Sequence, residues 1–315
     1  MLKPKHLKKG DTFGIVSPAS PSENKSDVVR CVEWLEKNGY KSVVGKNVNK
    51  TKGFTAASEE DRAADINEMF SRDDVDVVIS TQGGYGSAQL MKYIDFNMIT
   101  KNPKIFVGFS DITSLHLMLN KFSNIVTFHG PGIARFNSEE LTPYTETQFF
   151  KAISDLEALG NIPLADEKKW LNCINKGKAK GQIIGGNLTL LCSSLGTPYE
   201  FDCKDKLLFI EDTETEPWIF DHMLSHLRNS GKLNDAAGII FGECENCVPF
   251  KHNPGYYCDT SLEDVINYYA KPLGIPVMYG LPLGHTKDLA TIPIGVEGFI
   301  DSDAKRFEIL ESGVI

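Results

Sequence analysis

Two rhythms of apolar residues organise the first 130 positions. Runs over 12–16, 41–44, 75–80, 105–107 and 126–129 are short and rich in β-branched or aromatic residues, which predicts strands. The run over 75–80 is almost continuously apolar, as a strand covered on both faces requires. Between these runs, apolar residues return at helical spacing. Val28, Val29, Val32 and Leu35 define a helix over 25–38 stopped by Gly39. Ser58 opens another over 58–71, with Glu60 and Asp61 in its first turn. A further helix begins over 87–93, and Ile112, Leu115 and Leu119 carry one directly after the fourth strand. Strands alternating with helices predict parallel α/β layers, in which ligands bind beyond the carboxyl ends of the strands.

The second half repeats the alternation less regularly. A polar stretch from 137 to 161 holds one modest helix over 145–159, and 170–180 is irregular and lysine-bearing. A short strand then runs into Gly185-Gly186 and a helix over 188–195. Strands follow over 206–210, 237–241 and 277–281, with helices over 217–228 and 261–269 between them, and closing β-structure over 292–296, 299–300 and 307–310. The composition shift predicts an N-terminal domain over 1–150, a connecting region over 151–180 and a C-terminal domain over 181–315.

The stretch from Lys104 to Leu119 concentrates the chemistry. Only Gly108 to Asp111 separate a buried strand from a helix, so Ser110 stands at the strand's carboxyl end beside the first free N–H groups of the helix. That is the geometry of a nucleophile elbow, although Gly108-Phe-Ser-Asp-Ile112 lacks the second glycine of G-x-S-x-G. A helix cap by Ser110 or Asp111 fits the same local pattern. Gly83-Gly-Tyr-Gly86, after the third strand, fits either a backbone cradle for a ligand or a plain turn.

Composition narrows the partners. At 315 residues, with 41% hydrophobic and 24% charged residues, the chain has the makings of a soluble two-domain protein. A net charge of -9 argues against a nucleic-acid partner, which needs a concentrated basic face. Seven cysteines without framework spacing suit a reducing compartment. The lysine-bearing start has no apolar core of a signal peptide, and no run reaches the roughly 18 apolar residues of a membrane span. The expectation is a cytoplasmic protein without a membrane partner.

An exposed serine needs a base and a carboxylate that orients it. His129 and His285 lie just past strands and next to glycines, whereas His116 sits two turns into a helix. His222 and His226 are spaced like half a zinc site but lack the glutamate of H-E-x-x-H. Cys244-x2-Cys247 is a single pair, short of a zinc knuckle. Glu211 directly follows four apolar residues and is the best carboxylate, with Asp212, Glu214 and Glu216 read as a solvated acidic loop. Ser110, Glu211 and His285 each end a predicted strand.

The chain resembles the LD-carboxypeptidases, a family that includes muramoyltetrapeptide carboxypeptidases and microcin C self-immunity peptidases. The likeness runs from Gly10-Asp-Thr-Phe-Gly-Ile-Val-Ser-Pro18 to Pro293-Ile-Gly295. Its motifs are Gly83-Gly-Tyr-Gly86, Gly108-Phe-Ser-Asp111, His129-Gly-Pro131, Gly185-Gly-Asn-Leu188, Ile210-Glu-Asp212 with Asp221 downstream, and Gly280-Leu-Pro-Leu-Gly-His285. The resemblance implies an N-terminal Rossmann-like parallel α/β domain, a C-terminal mixed α/β domain and an active site in the groove between them. It implies Ser110 as nucleophile, His285 as base and Glu211 as its orienting carboxylate. It further implies an oxyanion hole from the N–H groups of Gly84 and Asp111.

The implied reaction hydrolyses the amide between an L-centre and a C-terminal D-amino acid, releasing D-alanine from a muropeptide tetrapeptide in cell-wall recycling. No metal or organic cofactor is implied, and family members are typically homodimers. Alternatives are cleavage of a peptide–nucleotide conjugate, as by the immunity peptidases, or a muropeptide-binding protein without catalysis. Gln82 stands where many relatives carry arginine, and Trp218 and His222 depart from the tyrosine and arginine expected on their helix. Tyr85, Asn187 and Trp218 are the candidates for substrate binding.

Overall fold

A computed structural model describes residues 1–136, 141–166, 169, 171–249 and 260–315. Among them are the strands β1 (Thr12–Val16), β2 (Lys41–Val44), β3 (Val77–Ser80), β4 (Ile105–Gly108) and β5 (Thr127–His129). Next come β6 (Gly160–Asn161), β7 (Asn172–Asn175), β8 (Lys178–Asn187), β9 (Leu207–Glu211), β10 (Gly238–Gly242) and β11 (Val277–Leu281). The chain closes on β12 (Ile292–Ile294), β13 (Glu297–Asp301) and β14 (Arg306–Ile309).

The chain divides into two compact units. The first comprises Met1–Leu159, Leu289–Val296 and Glu311–Ile315; the second comprises Gly160–Asp288 and Glu297–Leu310. The first unit holds the six-stranded sheet β12-β5-β4-β3-β1-β2. Strands β1 to β5 are all parallel, and β12 adds antiparallel to β5 by pairing Ile292 with His129. Every residue of β1, β3 and β4 is buried, which is why these strands read as continuous apolar runs. The parallel order 2-1-3-4-5 reverses direction between β1 and β3. The loops leaving those two strands therefore diverge and open a crevice at their carboxyl ends, the usual ligand position in this topology.

The second unit holds the eight-stranded sheet β6-β14-β13-β8-β9-β10-β11-β7, parallel from β8 to β11 and antiparallel at both flanks. Both sheets are therefore mixed, and the α/β class read from the sequence holds.

Several expected boundaries shift. The strand within 292–296 belongs to the first sheet, not to the C-terminal domain, because β5 offers it a free edge. The described residues of 151–180, expected as a connecting region, carry the end of the helix Pro143–Ser154, then β6, β7 and the start of β8. That helix begins and ends earlier than expected, because Thr142 caps it by accepting from the Thr145 N–H, with proline in its first turn. Only a single 3₁₀ turn, Ser87–Leu90, forms in the region where a helix over 87–93 was expected. Residues 137–140 and Trp170 of the polar stretches lie outside the described residues. Among the described residues, no helix is long and apolar enough to cross a membrane.

Candidate active site

The turn after β4 is a strained point of the first unit. Phe109 continues the extended backbone, and Ser110 then adopts φ +64, a left-handed conformation that a serine reaches only at a cost of roughly 1–3 kcal/mol. A capping serine takes the extended conformation instead, and here Phe109 occupies the cap position of the turn Ser110–Ile112. Nor is Asp111 a cap. Its buried carboxylate reaches out to the glycine loop, accepting from the N–H of Ser87 at 2.8 Å and of Gly86 at 3.3 Å. The Ser87 hydroxyl returns a bond of 2.5 Å to the Asp111 carbonyl. Glycine loop and elbow are thereby fastened together.

Close approach explains the loop's first glycine. A Cβ on Gly83 would stand 2.7 Å from the Cβ of Ser110 and 3.0 Å from its Oγ. No side chain fits there without moving the serine. The neighbouring N–H groups of Gly84 and Asp111 make no hydrogen bond among the described residues, and both belong to backbone that flanks Ser110.

Arg62 escaped the sequence reading. Its guanidinium is buried and donates to the carbonyls of Pro18 at 2.5 Å, Gly86 at 2.9 Å and Ala57 at 3.2 Å, and to Gln89 Oε1 at 2.7 Å. The glycine loop is thus held from one side by Arg62 and from the other by Asp111. The available signal was phase: Arg62 shares a helical stripe with Ile66, Met69 and Phe70, where a solvated arginine has no place.

Two histidines of this unit serve the core. His116 is fully buried and its Nε2 donates to the Gly108 carbonyl at 2.8 Å, beneath the elbow; His129 is fully buried on β5. Burial, and secondarily the His129 ring, push the His116 pKa down to about 3. In the unfolded chain it titrates near 6.5, so between those values the unfolded state binds more protons. The contribution of His116 is complete above about pH 6.5 and is lost on acidification towards pH 3, at about 1.4 kcal/mol per unit. We expect chemical denaturation at pH 5 to show His116→Gln less sensitive to acid than the parent; equal slopes would contradict it.

In the second unit, β9 delivers Glu211 at its last position, fully buried. Its Oε2 lies 2.8 Å from Nδ1 of His285, which is half-buried in the loop after β11. With Glu211 ionised, Nδ1 carries the proton and Nε2 presents its lone pair, the tautomer a general base needs. Gly284 makes the contact possible: at φ +96, its missing Cβ would lie 1.9 Å from Glu211 Oε2.

Asp212 and Glu216 are buried, and only Glu214 of the supposed solvated loop is exposed. Asp212 accepts from Thr189, through both its N–H and its hydroxyl, and from Asn187, the Thr213 N–H and the Thr215 hydroxyl. Burial and the adjacent Glu211 raise its pKa, and these bonds oppose the rise. Asn187 also caps the helix Leu188–Ser194, so its amide is committed to structure as well. Trp218, 46% exposed, is the second residue of the helix Pro217–Asn229, and His222 and His226 lie further along that helix. Cys244 and Cys247 are free thiols within hydrogen-bonding reach of each other. Among the described residues, no group of three or more His, Cys, Asp or Glu is gathered for a metal.

Models of the LD-carboxypeptidase N-terminal and C-terminal domains match residues 13–130 and 180–300. The chain belongs to the LD-carboxypeptidase family. It is 38% identical over 313 residues to a probable murein peptide carboxypeptidase of Bacillus subtilis, covering 99% of this chain and 95% of the relative. Among solved structures, the microcin C7 self-immunity protein MccF aligns over 100% of both chains with TM-score 0.90 and 26% identity. The muramoyltetrapeptide carboxypeptidase of Oxalobacter formigenes aligns over 95% of this chain and 97% of its own, with TM-score 0.81 and 29% identity. MccF has also been solved in complex with aspartyl sulfamoyl adenosine. Membership makes the chain a peptidase of the carboxypeptidase class, and the two domain models cover both the elbow and the Glu211–His285 pair.

Proposed function

We propose that this protein is a serine L,D-carboxypeptidase that removes a C-terminal D-amino acid from a murein-derived peptide. The observation that carries the reading is the left-handed backbone at Ser110, a strain that lifts a hydroxyl above a strand end beside two free backbone donors. Ser110 Oγ attacks the scissile carbonyl and passes its proton to His285 Nε2, while Glu211 holds the imidazole and stabilises its cationic form. The N–H groups of Gly84 and Asp111 receive the oxyanion. Collapse expels the D-amino acid, protonated by His285, and water then releases the acyl group by the same steps in reverse.

The murein peptide substrate is supported by the likeness to the probable murein peptide carboxypeptidase of Bacillus subtilis and the muramoyltetrapeptide carboxypeptidase of Oxalobacter formigenes. A cytoplasmic homodimer acting in cell-wall recycling accords with that substrate. A second reading, cleavage of a peptide–nucleotide conjugate, draws on the full-length likeness to MccF and its complexes with sulfamoyl nucleotide analogues.

The test is incubation with L-Ala-γ-D-Glu-meso-diaminopimelate-D-Ala. D-Alanine should appear at a rate that EDTA leaves within a factor of about two, since the proposed chemistry routes no step through a metal. Turnover of aspartyl adenylate analogues alone would transfer the assignment to the second reading. Turnover of neither class would leave a binding protein.

A further inference from the structure

Two large aromatic side chains stand in water beside the proposed oxyanion loop. Phe54 is 77% exposed and Tyr85 is 54% exposed, so both forgo most of the burial that such rings contribute to folding. They meet edge to face with centroids 6.0 Å apart. Tyr85 directly follows Gly84, the proposed oxyanion donor.

The backbone that presents them is firmly held. Lys52 and Thr55 exchange two backbone hydrogen bonds around a turn with Gly53 at φ +63, and Phe54 sits at its tip. The Ala56 N–H donates to the Ala19 carbonyl. Ser20 ties three segments together: its N–H donates to the Gly83 carbonyl, its hydroxyl donates to the Phe54 carbonyl at 2.8 Å, and the same oxygen accepts from the Tyr85 N–H at 3.1 Å. Ser20 and Tyr85 lie in the loops leaving β1 and β3, where the strand order reverses, and Phe54 lies in the loop leaving β2. A rigid backbone that holds rings out of the core is the form of a stacking surface, because the ordering cost is met before the ligand arrives.

We propose that Phe54 and Tyr85 form an aromatic platform for a ring carried by the peptide substrate, stacked through the C–H face of a sugar or the π face of a nucleobase. This rests on the function proposed above and adds the part of the substrate that lies beyond the scissile bond. Continuity with Gly84 and Ser110 argues for substrate rather than a remote ligand: the glycine preceding Tyr85 is the oxyanion donor, and the one before it packs on the nucleophile. Both ring types offer a weakly polar face to stack on an aromatic side chain.

The Ser110→Ala protein allows binding to be measured by calorimetry without turnover. One arm compares the bare tetrapeptide with its N-acetylmuramoyl form. The other compares aspartyl sulfamoyl adenosine with the same compound lacking the base. One ring should tighten binding about ten- to a hundredfold, by the scale of single aromatic stacks. Which ring does so identifies the source. Adding Phe54→Ala and Tyr85→Ala should reduce the gain to less than threefold, whereas Phe54→Tyr should keep it. The proposal is overturned if neither ring tightens binding, or if the gain survives loss of both side chains. It is equally overturned if the double variant instead dissolves a dimer, which would make the rings a contact between copies. Wild-type hydrolysis of the bare tetrapeptide tests the peptidase reading separately, since that substrate carries no ring.

Discussion

Ser110→Ala is expected to lower kcat on a tetrapeptide by at least about a thousandfold while leaving the unfolding midpoint nearly unchanged, on the scale of nucleophile deletions in serine hydrolases. Ser110→Gly sharpens the experiment. Glycine reaches φ +64 without steric cost, so it should raise stability by about 1 kcal/mol and be as inactive as alanine. A helix-capping serine would behave in the opposite way: both substitutions would weaken the fold and spare catalysis. Enzyme assays and thermal melts on the two variants therefore separate the roles. Activity within tenfold of the parent in either one would refute the nucleophile.

The second large effect belongs to the buried carboxylate. Glu211→Gln preserves volume but removes the charge that faces His285 Nδ1 at 2.8 Å. A neutral amide neither fixes the imidazole tautomer nor stabilises the imidazolium, and losses of about a thousand- to ten-thousandfold in kcat follow from that mechanism. Glu214→Gln, at an exposed position three residues on, should remain within about twofold. His285→Ala should match Glu211→Gln or exceed it. If Glu214→Gln were the impaired variant, the orienting role would pass to Glu214.

Much of this was legible in the chain because the informative elements are locally determined. Strands β1, β2 and β11 have the ends their apolar runs predict, since turn residues bracket each run. Glu211 stood out for the same reason, as a carboxylate at the mouth of an apolar strand. What remained hidden depends on partners distant in sequence. The lysine-bearing stretch before residue 181 looked irregular, yet it forms β7 and the first three residues of β8. There Lys178 pairs with Asp301 and Lys180 with Glu297, each at 2.9 Å, across the antiparallel ladder to β13. A solvated strand face stabilised by such pairs carries no apolar rhythm. His129 and His285 were equivalent by local pattern, both following strands beside glycines. Only tertiary placement separates them: the first is enclosed in a core, and the second faces a carboxylate contributed from 74 positions earlier. Asp212 was misjudged for a similar reason. Its hydrogen-bond partners lie on both sides of it in the chain, and several come from more than twenty residues upstream.

The interleaving of the chain limits how such proteins diversify. Residues 289–296 leave the second unit to complete the first sheet, the chain goes back to supply β13 and β14, and 311–315 return once more. A single recombination crossover near residue 160 would graft a foreign β12 onto the edge of β5. Cassette exchange between homologues therefore needs the short distal segments to travel with the amino-terminal half, and their side chains evolve under the constraints of a sheet whose gene sequence lies mostly elsewhere.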